Sequence, residues 1–312
     1  MRLRDGLRAG IPAAAAACLA ACAGQPAQPA STAARPDRCG GQPIFAAGGD
    51  RATLWVRNSS EFRAASEAIY RAAQDALARG LADPSWSAEP SQTGDFSALP
   101  PAVVMDIDET VLDNSEPQAE MLLNGTCFDE FPKAWDDWIA KRRAPAVPGA
   151  AEFIRAARAA TDGAGRPVRV FFITNRECAS RAGSDAACPQ QDDTLANLEA
   201  LGLASPALAE ELMLKGERPE WESEKLPRRQ AVASSHRVIL NVGDDLADFL
   251  PGVRRATVAE REQARCARAE YWGRRWFLVP NPMYGSWLVA LGPDLDAALA
   301  AEPSVQAVCP GG

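Results

Sequence analysis

From Phe62 to Leu81, apolar residues return at every third or fourth position. Phe62, Ala65, Ile69, Ala73, Ala76, Leu77 and Leu81 therefore share one face of a helix. Asn58, Ser59 and Ser60 offer oxygens to cap its first turn, and Gly80 stands near its end. Further on, the helical period gives way to short unbroken apolar runs at residues 102–105, 168–173 and 238–242. Such runs predict strands covered on both faces. Helical stretches lie between them: residues 148–160, with proline at a first-turn position, and residues 192–201, stopped by Gly202. Strand and helix alternating in this way predict an α/β fold on a parallel sheet, to which residues 276–279 add a further strand. An insertion between the first two strands, residues 115–147, carries Trp135, Trp138 and several charges, and is expected to form a small cap over the site. No internal repeat is visible.

The first residues follow a different logic. Arg2, Arg4 and Arg8 precede an apolar run at residues 11–21 that is too short to span a bilayer stably, which predicts a secretory leader. The run ends Leu19-Ala20-Ala21-Cys22, which resembles the bacterial lipoprotein cleavage box. The resemblance implies lipidation of Cys22, with residues 1–21 removed and residues 22–48 left as a lipidated cysteine and tether. The alternative is an ordinary secreted protein cut after a small-x-small site. Residues 23–36, rich in Ala, Pro, Gln, Ser and Thr, suit a solvated tether. The folded body would then span residues 49–312. Six cysteines remain after Cys18 and Cys22: Cys39, Cys127, Cys178, Cys188, Cys266 and Cys309. An even number in an oxidising compartment predicts disulfides, and Cys178 with Cys188 across one short loop is the favoured pair among the fifteen possible pairings.

Charge narrows the function classes. The 312 residues carry 33 basic and 41 acidic side chains, a net charge of −8. With no long basic run, a nucleic-acid polymer is not an expected partner. There are four lysines and a single histidine, His236, so chemistry built on two histidines is excluded, including most multi-histidine metal sites. His236, in Ser234-Ser235-His236-Arg237, is expected to be a surface loop residue.

In open parallel sheets, ligands bind beyond the carboxyl ends of the strands. The first run ends Asp106-Ile107-Asp108-Glu109-Thr110, and alternation places Asp106 and Asp108 on one side. One carboxylate can attack phosphorus while the other protonates the leaving oxygen and later activates water. The second run ends Thr174-Asn175-Arg176, a hydroxyl, an amide and a guanidinium suited to a phosphoryl group. The third ends Gly243-Asp244-Asp245-Leu246-Ala247-Asp248, where acids can hold a hard divalent cation. Each motif alone has a bland reading as turn acids or a helix cap. Together, in this order, they point to metal-dependent phosphoryl transfer.

The strings DIDETVLDNS, TNRE, Lys225-x-x-Arg228 and GDDLADF resemble the haloacid dehalogenase (HAD) superfamily of aspartate-nucleophile phosphatases. With the lipoprotein box, Trp135-x-x-Trp138, Ala146-Val147-Pro148-Gly149-Ala150 and Asn281-Pro282-Met283-Tyr284-Gly285-Ser286-Trp287, the chain resembles the lipoprotein e type of class C acid phosphatase, associated with 5′-nucleotidase activity. The resemblance implies a HAD-like Rossmannoid parallel sheet flanked by helices, with a small cap insertion and an N-terminal helical segment. It implies Asp106 as nucleophile, Asp108 as general acid and base, Thr174 as phosphoryl binder, and Lys225, favoured over Lys215, as the stabilising cation. Mg²⁺ would be held by Asp106, the main-chain carbonyl of Asp108 and Asp244, with Asp248 helping to position the shell. Asn175, Arg176, Trp135 and Tyr284 are expected at the substrate. The chain departs from the family at Asn114-Ser115-Glu116-Pro117, where Asn-Ser-Pro-Tyr is usual, so an aromatic is missing from one side of the mouth.

The expected activity is Mg²⁺-dependent hydrolysis of small phosphomonoesters, nucleoside 5′-monophosphates foremost, through an aspartyl-phosphate. The expected location is the bacterial cell envelope, lipid-anchored to the outer membrane and facing the periplasm or the surface. The competing class is a surface lipoprotein that binds a ligand such as haem on a phosphatase scaffold. A retired scaffold commonly loses Asp106 or Asp108, and this chain keeps both. An alcohol in place of water as acceptor would make the enzyme a phosphotransferase.

Overall fold

In the computed structural model, residues 48–301 are described together with Cys39 and Cys309; the leader, Cys22 and nearly all of the tether lie outside these residues. The described residues open with α1 (Asp50–Asn58) and α2 (Ser60–Ala82). Ser59 separates them, and its hydroxyl accepts from the Phe62 amide at 3.1 Å, as the sequence predicted for this cap. Then follow β1 (Pro101–Met105), α3 (Ser115–Asn124), α4 (Phe131–Ala140), α5 (Ala150–Ala159), β2 (Arg169–Glu177), α6 (Pro189–Ala200), α7 (Leu208–Glu211) and β3 (Leu212–Lys215). The rest is α8 (Leu226–Ala233), β4 (Arg237–Gly243), α9 (Val258–Cys266), β5 (Trp276–Leu278), α10 (Ser286–Ala290) and α11 (Leu295–Ala300).

Among the described residues, five strands form one parallel sheet in the order β3-β2-β1-β4-β5. Every residue of β1 and β4 is buried, because helices cover both faces. Alternation sorts the side chains. Val103 and Met105 of β1, with Val170 and Phe172 of β2, join a core shared with α2, α5 and α6. Ala102 and Val104, with Phe171 and Ile173, face a second core that includes Val232 of α8, Phe249 and Trp276. Gly149 lets α5 approach α2 closely. Its φ is +89°, and a Cβ there would lie 3.1 Å from the Tyr70 side chain and 3.2 Å from the Glu67 backbone. Tyr70 in turn donates to the Thr110 carbonyl at 2.6 Å, tying α2 to the loop after β1.

Two differences from the sequence reading concern strands. β2 runs on to Glu177, so Thr174, Asn175 and Arg176 lie inside it, where its register against β3 shifts between Ile173 and Glu177. β3 is a four-residue edge strand directly after α7, too short for a periodic signal. The insertion contains α3 and α4, with a short 3₁₀ turn, Phe128–Glu130, between them. All six cysteines pair: Cys39 with Cys127, Cys178 with Cys188 as expected, and Cys266 with Cys309. The first of these ties the segment before α1 to the insertion. His236 is half-buried at the amino end of β4 with its ring edge on Phe171, 4.9 Å between centroids.

Candidate active site

A cavity of about 920 Å³ opens at the carboxyl ends of β1, β2 and β4, and Asp106, Asp108, Lys225 and Asp244 share its wall. Asp106 follows the last residue of β1, and its amide donates to the Val242 carbonyl at 3.0 Å, so the strand pairing itself fixes the residue beside β4. The chain then turns sharply. The amides of Val111 and Leu112 both return to the Ile107 carbonyl at 2.8 Å, and Glu109 takes φ +60°, an uncommon choice for a residue with a side chain. Glu109 is compensated by Asn114, whose backbone N–H donates to Glu109 Oε1 at 2.8 Å.

Lys225 caps the start of α8, with Pro227 in the first turn, and sends its ammonium between two carboxylates. It pairs with Asp106 and lies 2.6 Å from Asp248 Oδ1. Lys215 instead forms a surface pair with Glu177 at 2.6 Å. Three residues beyond Lys225, Arg228 bonds Asn175 Oδ1 at 2.8 Å and the Glu222 carbonyl at 2.7 Å. The Lys-x-x-Arg pattern thus puts one cation on Asp106 and one on the end of β2. The Asn175 amide is further held by the Ser223 carbonyl at 3.1 Å.

Asp248 organises the third motif. Its Oδ2 accepts the backbone N–H groups of Asp244 and Asp245 at 3.1 and 3.0 Å. Asp244 is oriented by Thr110 Oγ1 at 3.0 Å and Asn281 Nδ2 at 2.9 Å. Oxygens of Asp106, Asp244 and Asp248 lie within 4.8 Å of one another. Burial pushes the Asp106 carboxyl up to about 7, with Lys225 pulling it down and Asp248 and Asp108 adding to the rise. Burial, with Asp248, Asp106 and Glu109 close by, holds Asp244 well above the ordinary carboxylate range. One ammonium does not neutralise this cluster, and a divalent cation fits it: Asp106 and Asp244 offer carboxylate oxygens, while Asp248 holds the loop amides with Oδ2 and Lys225 with Oδ1.

Sequence reasoning gave the Arg176 guanidinium to the substrate. It borders the cavity, but it is 2 % exposed, with Nη2 and Nε on Asp108 Oδ1 at 2.8 and 3.1 Å and Nη1 on Thr194 at 2.9 Å. Alternation explains this: Thr174 and Arg176 lie on one face of β2, and both side chains reach Asp108. Thr174 is fully buried, and its hydroxyl lies 3.4 Å from Asp108 Oδ2.

At the mouth, Trp135 and Tyr284 stand on the cavity wall as expected, joined by Phe131, which sequence reading missed. Phe131 stacks on Trp135, 6.1 Å between centroids, and restores an aromatic surface despite the substitution at Glu116-Pro117. The cap helix is latched to the body. Arg181, inside the Cys178–Cys188 loop, grips Asp136 at 2.6 and 2.8 Å and Asp193 at 2.8 Å. Trp287 lies outside the cavity and is 36 % exposed. Asp245, read from the sequence as one of the acids after the third run, has a structural partner instead. It holds the late aromatic segment by accepting from Ser286, through both its amide and its hydroxyl.

A family model described as HAD superfamily, subfamily IIIB (acid phosphatase), matches residues 51–287. Two solved structures of the class C acid phosphatase from Bacillus anthracis are similar, one of them with tungstate bound. Each is 30% identical, covering 82% of this chain and 94% of its own, with TM-scores of 0.63 and 0.62.

Proposed function

This chain belongs to the acid phosphatases of HAD subfamily IIIB, and from that premise we propose that its substrates are nucleoside 5′-monophosphates, cleaved with Mg²⁺ through an aspartyl-phosphate. The observation that carries the reading is one cavity joining the buried Asp106–Lys225 pair to the aromatic wall of Phe131, Trp135 and Tyr284. A phosphoryl group fits the first and a base the second; stacking on an aromatic contributes roughly 1–3 kcal/mol. The tungstate in the Bacillus anthracis structure is an oxyanion, which agrees with a site for phosphate.

In this mechanism an Asp106 oxygen attacks phosphorus and the bond to the leaving oxygen breaks. Asp108 gives that oxygen its proton. Asp108 then takes a proton from the water that attacks the aspartyl-phosphate, and inorganic phosphate leaves. Lys225 stabilises charge on the transferring group, a role that its burial beside the nucleophile strengthens. Magnesium, held by Asp106 and Asp244 with the Asp108 carbonyl, would supply a further positive charge for the phosphoryl oxygens.

Location is part of the same proposal. The leader, the box ending in Cys22 and three disulfides that pair every remaining cysteine support a lipid-anchored protein of an oxidising envelope compartment. Changing Cys22 to Ala is expected to release the enzyme into the soluble fraction. The substrate proposal is tested by phosphate release from a panel of monoesters with and without chelator. A nucleotide should exceed glycerol phosphate in kcat/KM by about ten- to a hundredfold, in line with one stacked base, and Tyr284→Ala should erode that preference. Equal values for the two substrates in the unmodified enzyme would refute the nucleotide reading and leave a nonspecific phosphatase.

A further inference from the structure

Trp135 and Trp138 lie three residues apart on α4, and the cavity wall uses only the first. Trp138 is 2 % exposed, and its indole N–H donates to Asn114 Oδ1 at 2.8 Å. An indole nitrogen can only donate, so the atom facing it must be the amide oxygen. That fixes the amide the other way round: Asn114 Nδ2 points at Asp108 Oδ1, 3.0 Å away, and at Glu109 Oε2, 3.3 Å away. Asn114 is wholly buried, so no water competes for either end.

The effect on Asp108 is asymmetric. Its Oδ1 receives Asn114 at 3.0 Å and Arg176 at 2.8 and 3.1 Å. Its Oδ2 has only longer contacts, 3.3 Å to Arg176 Nε and 3.4 Å to Thr174 Oγ1. A carboxyl held by several donors at one oxygen cannot turn freely, and its proton belongs on the other oxygen.

We infer that Trp138 and Asn114 are positioning residues that orient Asp108 for proton transfer, so that the packing of the cap helix sets the efficiency of general acid catalysis. This rests on the reading of Asp108 as the proton donor. In the step concerned, the bond from phosphorus to the leaving oxygen breaks as the bond to Asp106 forms. The Asp108 Oδ2 proton passes to the departing oxygen and leaves a carboxylate. An alkoxide needs that proton, whereas a nitrophenolate leaves without it, and this difference separates orientation from mere structural support.

The test compares kcat/KM for glycerol phosphate and for p-nitrophenyl phosphate, a quantity that reports formation of the aspartyl-phosphate and not its later hydrolysis. Trp138→Phe keeps the ring and deletes the N–H, and Asn114→Ala deletes the link. Each is expected to lower the value for the alkyl ester by about tenfold or more and to leave the aryl ester within about twofold. The double variant should be no slower than Asn114→Ala alone, because both act through one chain of bonds. Equal losses on both esters, no loss on either, or losses that add in the double variant would overturn the inference. If Trp138→Phe does not fold, Asn114→Ala decides by the same comparison. Asp108→Asn separates the two levels: an alkyl-ester rate untouched by it overturns the reading of Asp108, whereas rates that need Asp108 and ignore Trp138 overturn only the positioning role.

Discussion

Lys225 and Asp248 meet 2.6 Å apart while both side chains are at most 5 % exposed, and the same ammonium pairs with Asp106. One cation therefore links the proposed nucleophile to the acid that organises the metal loop. Lys225→Met should lower kcat by about a hundredfold or more, the scale of a lost charge-stabilising donor. Lys215→Ala removes only a surface pair and should change kcat less than about twofold, since such pairs contribute little. Similar small effects from both variants in steady-state assays would contradict the assignment of Lys225.

Asp106→Asn keeps the shape of the side chain and removes its nucleophilicity. Turnover is expected to vanish while the melting temperature stays within a few degrees of the parent's. Chelator should silence the parent enzyme, and Mg²⁺ should restore it. A phosphate-release assay on purified protein checks both, and an active Asp106→Asn protein would defeat the mechanism.

Gly243 is the last residue of β4, and a Cβ there would lie 2.6 Å from the Asp248 Cβ and closer still to its carboxylate. No rotamer of an added methyl relieves that overlap. Gly243→Ala should displace Asp248 and cost about 1–3 kcal/mol, the usual penalty for overpacking. Thermal denaturation should show the loss, together with a higher Mg²⁺ concentration for half-activity. Unchanged stability and metal requirement would mean that the loop relaxes without consequence.

Burial, reinforced by the neighbouring Arg169, lowers the affinity of His236 for protons in the folded protein, with Glu211 acting in the opposite direction. The unfolded chain still takes up that proton near pH 6.5. Protons therefore favour the unfolded state, and this contribution to stability is lost as pH falls through the histidine range. His236→Gln should gain on the parent in melting temperature at pH 5 relative to pH 8. A difference that stays constant or moves the other way contradicts the argument.

Much of this fold was legible because buried strands and amphipathic helices write unambiguous patterns. The cap serine of α2, the runs that became β1, β2 and β4, and the Cys178–Cys188 pair were all visible in the residues. What escaped depended on distant partners. β3 is four residues at an edge, with no pattern of its own. Arg176 carries the chemistry of a phosphate ligand, and only the folded structure shows its guanidinium on Asp108. Phe131 had no motif to mark it, and Asp245, read among the acids after β4, takes its role from the return of the chain at Ser286. Trp138 could be read as core from its sequence alone, and it is core; its polar edge became informative only when Asn114 was found beside it.

The place of β1 in the sheet bears on how the enzyme comes into being. β1 is the first strand made, yet its neighbours β2 and β4 are supplied by much later stretches of chain. A nascent polypeptide holding Asp106 has neither Lys225 nor Asp244, and pairing over such separations is slow because loop closure must precede contact. Catalytic competence should therefore be among the last properties to appear during refolding, after helical signal has recovered. A chain still being synthesised would carry no phosphatase activity until Lys225 and Asp244 had followed Asp106.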